Sequence, residues 1–316
     1  MTRILVTGAT GTVGATVVQA LQARGADVRA FVRDPAAAAA KLGDVDLAPG
    51  DFDDPASLRR ALAGVGRVYL SAADGPRKVA HETAVIDAAA GAGVELIVKL
   101  SSMHADPASA LPAFRWHGEV EAHLRRSDVP AVLLRPAFFM TNLLMVAGGV
   151  AHTGLLHAPT AGRRIAMIDI RDVAEVAAAV LLAEGHAGRT YDLTGPSAIT
   201  FADVAAALAG ATGHPVRSVD LTEEQARPRF EGAGLPDWLA THLAGVFGVI
   251  RAGGFEHATG EVLRITGRPA RDITGFAHDF AAAFAPPAVP AGTARTGSAA
   301  GQQRPERSEV DVEVLG

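Results

Sequence analysis

The stretch ILVTGATGTVG, residues 4–14, decides the fold. A short apolar run ends in Thr7 and passes into Gly8, Gly11 and Gly14 at the mouth of an amphipathic pattern that continues to Arg24. Side chains at such a turn would keep backbone N–H groups away from a pyrophosphate, which otherwise settles on the positive N-terminus of the helix that follows. The spacing G-x-x-G-x-x-G is a variant of the dinucleotide fingerprint, and its place between a strand and a helix is the context that fingerprint requires. A merely tight turn needs one or two of these glycines. Thr7, Gly8, Thr10, Gly11, Thr12, Val13 and Gly14 are therefore expected to line a cofactor.

Outward from this turn, short apolar runs alternate with longer Ala-rich segments. Strands are expected at 3–6, 28–32, 45–47, 67–70, 96–100, 129–134 and 190–193, with helices at 13–24, 55–63 and 79–90. Continuous apolar strands separated by helix-length crossovers predict a parallel sheet covered on both faces, a Rossmann-type doubly wound α/β fold. Residues 1–136 are expected to form the NAD(P)-binding domain. Residues 137–285 are expected to form mainly a smaller substrate lobe, with the stretch near 189–194 returning to the sheet. In that lobe Thr200 and Asp203 predict a capped helix from about Phe201, and Asp172 is expected to cap the helix after TGLLHAPTAGRRIAMIDI. From 286 to 316 the chain is poor in large apolar groups and rich in Pro, Gly, Ala and Ser, the composition of a disordered tail.

Bulk composition excludes several function classes. With 316 residues, 49% of them hydrophobic, the chain can bury a full-sized core. It has no cysteine, which removes disulfides, thiolate metal sites and a cysteine nucleophile and fits a cytoplasmic location. A net charge of −5 with no basic run argues against nucleic acid as a partner. The opening MTRILVTG enters a strand directly, leaving no room for a signal segment, and no apolar run approaches the roughly 18 residues of a membrane span. His152 and His157 have no metal-ligand spacing, so no metal site is expected.

The tip of the second strand reads RAFVRDP. A carboxylate there accepts hydrogen bonds from a ribose 2′-hydroxyl, whereas an arginine clasps a 2′-phosphate. Arg33 points to NADP in preference to NAD, although Asp34 stands beside it and Arg33 also fits a solvated loop entrance. In GDFDDPASL, Asp51 and Phe52 are expected to flank the adenine, while Asp53 or Asp54 caps the next helix ahead of Pro55. YLSAADGP brings Ser71, Ala72 and Ala73 to the carboxyl edge of the sheet, where dinucleotides lie.

The motifs TGATGTVG, FVRDPA, GDFDDPASL, AGVELIVKLSS, HGEVEAHLRRSDVPAVLLRPAFFMTN, IDIRDVAEVAAAVL, GRTYDLTGP and TGRPARDITGFAHDFAAAF occur in an order that resembles the NmrA-like atypical short-chain dehydrogenase/reductases. The nearest likeness is to the quinone oxidoreductase and triphenylmethane reductase type, and it covers Thr2 to about Phe284. It implies hydride transfer from NAD(P)H to a quinone or related conjugated aromatic small molecule, and a homodimer is compatible with it. Some members of the family instead look like dinucleotide-binding redox regulators that act through a partner protein, which is the alternative reading here.

Typical short-chain reductases carry a Tyr-x-x-x-Lys pair on the helix that here reads FRWHGEVEAHL, with a serine after the fifth strand. The chain holds only two tyrosines, Tyr69 and Tyr191, and neither is followed four residues later by lysine. Matching Glu121 to the acidic residue that often follows the pair places His117 at the lysine position and Ala113 at the tyrosine position. His117 could then give a proton or hydrogen bond to a substrate oxygen while Glu121 holds its tautomer. The plainer reading has His117 bonded to a ribose or loop and Glu121 as a helix-surface partner. Ser101 is expected at the cofactor or simply at the strand end, and Lys99, inside an apolar run, reads as an edge residue or one reaching out to solvent and is assigned no role. Quinones are electrophilic enough that positioning carries most of the catalysis. Met103, Trp116, Phe138, Phe139, Met140 and Leu143 are candidates for the substrate wall or, equally, for lobe core.

Overall fold

A computed structural model describes residues 2–232 and 234–287. The tail expected over 286–316 therefore falls, from 288, outside the described residues. The strands are β1 (Arg3–Val6), β2 (Val28–Val32), β3 (Asp46–Pro49), β4 (Val65–Leu70), β5 (Leu96–Leu100), β6 (Ala131–Pro136), β7 (Leu155–Ala158), β8 (Thr190–Leu193) and β9 (Arg217–Asp220). Seven form one sheet in the order β3-β2-β1-β4-β5-β6-β8, and every neighbouring pair is parallel. The order reverses direction between β1 and β4, and ligands of such sheets bind outside the strand ends at this switch point. The remaining two, β7 and β9, pair parallel in a small separate sheet.

The helices that matter for the site are α1 (Thr12–Gln22), α2 (Pro35–Leu42), α3 (Pro55–Ala61), α4 (Lys78–Ala92), α5 (Pro112–Leu124), α6 (Ala147–Thr153), α7 (Ile170–Leu182), α8 (Phe201–Thr212), α9 (Glu223–Gly232) and α10 (Asp237–Arg251). Alternation along the strands divides the core. Ile4 and Val6 face Val13, Val17 and Leu21 of α1 together with Val173, Val176 and Val180 of α7. Leu5 points the other way, with Ile97, against Leu58 of α3, Val85 and Ile86 of α4 and Val120 and Leu124 of α5. Each such side chain taken out of water contributes about 1.5–3 kcal/mol, which is why continuous apolar strands must be covered on both faces.

Polar residues at the helix starts fix where each crossover begins. Asp34 accepts from the backbone of Ala36 and Ala37 ahead of α2, and Asp54 accepts from Ala56 ahead of α3. Thr200 and Asp203 form the expected capping box of α8. The cap of α7 is a correction to the sequence expectation: Asp169, not Asp172, accepts from Arg171 N. Asp172 lies one turn further on, where it accepts from the backbone N–H of Arg271 at 2.7 Å. A third core lies beside the sheet, where Phe138, Met140 and Leu143 pack with Phe201, Leu208, Phe247 and Ile250.

Candidate active site

The glycine turn is built by close packing at the switch point. Thr7, fully buried, donates its hydroxyl to Ser71 O at 2.8 Å and accepts from Ser71 N at 3.0 Å, which ties the end of β1 to the end of β4. Gly8 has φ of 60°, the left-handed region that glycine enters without penalty. At Gly14 a Cβ would lie 2.0 Å from Gly8 O, so no side chain fits there. Gly11, the N-cap of α1, supplies no side-chain cap, and the first turn has no acidic residue, so the helix end is open to an anion. Thr10 O accepts from Lys41 Nζ. The side chain of Val13 is buried in the core beneath, so only its backbone belongs to the turn.

Around the switch point the second and third strands bring the remaining candidates. Arg33 is exposed and makes no hydrogen bond or ion pair among the described residues, whereas the adjacent Asp34 is occupied as the cap of α2. Asp51 accepts from Asp53 N at 2.9 Å. Phe52 stacks on His81 of α4, with ring centroids 5.1 Å apart and an interplanar angle of 22°, a partner that sequence reasoning missed.

The turn after β4 leads into a buried ionic cluster. Lys78 donates to Ala72 O at 2.8 Å, and Ala72 N donates to Glu82 Oε1 at 3.0 Å. Lys78 Nζ also lies 3.1 Å from Asp74 Oδ1 and 3.2 Å from Glu82 Oε1. Lys99 Nζ lies 3.0 Å from Glu82 Oε2 and 3.2 Å from Nδ1 of His117, and it donates to Leu100 O. Nε2 of His117 is 3.6 Å from Asp74 Oδ1. Lys99 is neither an edge residue nor one reaching solvent, as its apolar run had suggested. β5 lies between β4 and β6, and the residue is 0% exposed. An isolated ammonium cannot be buried this way, so lysine within an apolar strand signals a hidden carboxylate; Lys78 and Glu82, one turn apart on α4, were the clue.

Burial and charge set the protonation states here. Burial pushes the Lys99 ammonium down to about 8, against the pull of Glu82. Burial also holds His117 well below the usual imidazole range, with the Lys78 and Lys99 ammonium groups adding to it. For Lys78 burial works against the charge, but Asp74 and Glu82 outweigh it and raise the pKa. Asp74 is raised by its burial, which Lys78 only partly offsets.

Glu121 does not hold His117. Its carboxylate accepts from Ser101 Oγ at 2.6 Å, from Arg125 Nη2 at 2.6 Å and from Arg135 through Nε at 2.9 Å and Nη2 at 2.5 Å. Nor is it a surface partner, being 0% exposed. Burial works against its charge, yet these donors, Arg135 foremost, bring its pKa below the usual carboxylate range. The Ser101 hydroxyl is accordingly committed to Glu121 and sits at the strand end.

The candidate wall residues divide. Phe138, Met140 and Leu143 join Phe114 in the lobe core, with half-buried Met103 packed against them. Phe139 turns the other way, into the sheet core with Val98 and Val132. Trp116 meets Trp238 of α10 edge-on, with centroids 5.1 Å apart, instead of lying on the sheet with Val120 and Leu124. Beside the lobe core, Phe114, Leu111, Val249 and His104 line an open cleft of about 520 Å³. His104 donates through Nε2 to Gly254 O at 2.9 Å, so it acts as a loop tie. Sequence reasoning also missed Asn142, which is buried with both amide atoms unpartnered among the described residues, and His242 of α10, buried edge-on against Phe114.

Among the described residues no group of His, Asp or Glu is arranged to hold a metal ion, and no helix is long and apolar enough to cross a membrane. The model of the NmrA-like family matches residues 1–256. The chain is 38% identical over 283 residues to an NAD(P)H azoreductase of Xenophilus azovorans, covering 89% of this chain and 99% of that protein. It is 38% identical over 284 residues to a (4-alkanoyl-5-oxo-2,5-dihydrofuran-3-yl)methyl phosphate reductase of Streptomyces griseus, covering 90% and 99%. Among solved structures, the NADPH-dependent quinone oxidoreductase of Escherichia coli in complex with NADPH superposes with a TM-score of 0.80 at 31% identity, covering 88% of this chain and 99% of that one.

Proposed function

The chain belongs to the NmrA-like family, and from that premise we propose that it is an NADPH-preferring reductase whose acceptor is a quinone or a related conjugated aromatic small molecule. The observation that carries this reading is the glycine turn at the switch between β1 and β4, closed so tightly that Gly14 admits no Cβ and heading a helix with no side-chain cap. These residues fit a dinucleotide. The backbone of Thr7 to Gly14 and the α1 N-terminus would take the pyrophosphate, unpaired Arg33 the 2′-phosphate, Asp51 and Phe52 the adenosine, and the Ser71–Ala72 edge the remainder. Residues 1–136 would hold the cofactor and 137–285 mainly the acceptor, with the strand near 189–194 completing the sheet.

Bound in this way, the dihydronicotinamide supplies a hydride. The chain's own task is to place a flat electrophile against it and keep water away; half-buried Met103 would meet the acceptor, with the buried Phe138, Met140 and Leu143 backing it. No tyrosine is needed where the acceptor's reduced anion is delocalised. The relatives' names, an azoreductase, a reductase of a conjugated lactone and a quinone oxidoreductase, share this acceptor chemistry and support the reading. Oxidation of NADPH and NADH against quinones, azo dyes and conjugated enones tests it. Turnover that favours NADPH is expected. Tight NADPH binding with no acceptor reduced would instead favour a dinucleotide-sensing regulator.

A further inference from the structure

The geometry points to Lys99 as the proton source of the reduction, acting through His117 as a neutral relay. The inference rests on the reductase reading and deepens it. Five ionisable groups from four elements meet at the carboxyl ends of β4 and β5: Asp74 of the loop after β4, Lys78 and Glu82 of α4, Lys99 of β5 and His117 of α5. No side chain among them is more than 6% exposed. Buried ion pairs are no more stabilising than well-packed apolar residues of the same volume, so stability alone gives no reason for this cluster. It also grips both backbone polar atoms of Ala72, at the sheet edge assigned to the cofactor.

The hydrogen-bond directions define the relay. An ammonium can only donate, so Nδ1 of His117 accepts from Lys99 and the ring proton sits on Nε2. That proton is uncommitted, because Asp74 Oδ1 at 3.6 Å is beyond hydrogen-bond range. Lys99 thus brings an ammonium, from the strand, to the helix position where typical short-chain reductases carry their lysine.

Hydride arrival leaves an anion on the acceptor oxygen or nitrogen. The anion takes the Nε2 proton of His117 while Nδ1 takes one from Lys99 Nζ. The ammonium and the anion are both discharged, one N–H bond is exchanged for another on the ring, and imidazole is neutral before and after. This suits a histidine that burial keeps from becoming imidazolium. Glu82 and Leu100 O hold the resulting amine; when product leaves, Nε2 takes a proton from solvent while Nδ1 returns its proton to Lys99 Nζ, which restores both the ammonium and the tautomer. The charged or titratable groups facing Lys99 are Glu82 and Lys78 from α4, Asp74 from the loop and His117 from α5; His242 of α10 faces His117. With the ammonium at about 8, the supply fails as pH rises through that value.

The test compares the full chain with Lys99→Met and with the charge-balanced Lys99→Met/Glu82→Gln. Nitrogen NMR of the His117 ring, without cofactor or acceptor, should show the Nε2–H tautomer and an Nδ1 resonance that moves as pH passes about 8. In the double variant that movement should vanish. With NADPH and a quinone, kcat should fall by roughly 10²-fold or more, the scale of general acid–base assistance, and its alkaline limb should disappear, while the NADPH dissociation constant of Lys99→Met, which leaves the contacts of Glu82 and Lys78 with Ala72 in place, is unchanged. An Nδ1–H tautomer in the unaltered protein overturns the relay even if the variants do not fold. An unchanged kcat and alkaline limb in a folded double variant overturns it as well. A protein that oxidises NADPH with no acceptor overturns the reductase reading together with the relay, whereas turnover that ignores both substitutions overturns the relay alone.

Discussion

Arg135 grips Glu121 through two parallel contacts, Nε to Oε1 at 2.9 Å and Nη2 to Oε2 at 2.5 Å, joining the end of β6 to the last turn of α5. This two-pronged geometry is the strong form of an ion pair. Glu121 is fully buried, but Arg135 retains 24% side-chain exposure, so solvent screens part of the attraction. Arg135→Met should destabilise the fold by about 2–4 kcal/mol, the penalty of a buried carboxylate left short of partners. Chemical denaturation measures it, and a loss under half a kilocalorie would refute the estimate.

The same pair predicts an acid response. The folded pKa of Glu121 lies below its ordinary 4.5, so its contribution is complete above that value and is lost as pH falls through the folded one. Melting curves between pH 5 and about 3 should therefore converge for the parent and Arg135→Met.

His242 gives the response of a buried neutral base. Burial lowers its pKa from 6.5 to about 4, and among the described residues neither ring nitrogen has a partner. The unfolded chain binds a proton that the folded chain refuses, so this contribution is full above pH 6.5 and is lost as pH falls towards 4. His242→Leu should raise stability at neutral pH by about 1–3 kcal/mol, since it removes two unsatisfied polar atoms. It should also flatten the decline between pH 6.5 and 4. A variant less stable than the parent at pH 5 would contradict this account.

Gly14→Ala places a methyl group 2.0 Å from a backbone oxygen that cannot swing aside. Overpacking of that kind costs about 1–3 kcal/mol and would open the turn. NADPH affinity should fall along with the melting temperature, and retention of full affinity would show that the turn is not the cofactor cradle.

Arg33→Ala tests cofactor choice without touching the core. Loss of a charged hydrogen bond to a 2′-phosphate corresponds to about 1.5–3 kcal/mol, roughly a 10- to 100-fold weaker NADPH complex. NADH binding should be unchanged. Equal weakening of both cofactors would remove Arg33 from the phosphate site.

Much of the sheet was legible in sequence because its strands are apolar runs bounded by turn residues. β1, β2, β5 and β8 fall at the expected limits. β6 begins two residues later than its apolar run suggests, because Val129 packs against the α5 side before Pro130 and the strand begins at Ala131. Asp169 and Asp172 present the same capping chemistry, and only the actual start of α7 distinguishes them. The glycine turn was legible since its chemistry is local. The Glu82–Lys99–His117 contacts were not, because they join α4, β5 and α5 across gaps of 17 and 18 positions that no helical or strand period connects. Phe138 and Phe139, one residue apart, illustrate the same limit: both are large and apolar, but the backbone sends one to the lobe and the other to the sheet core.

The most direct measurement is the rate of NADPH oxidation by a simple quinone, with the cofactor deuterated in turn at each of the two hydrogens on the nicotinamide C4. Acceptor-dependent oxidation slowed by deuterium in one position and not the other is the predicted result, since a fixed site presents a single face of the ring. Oxidation that does not depend on the quinone, or none at all with NADPH demonstrably bound, would contradict the assignment of this fold's cleft to hydride transfer.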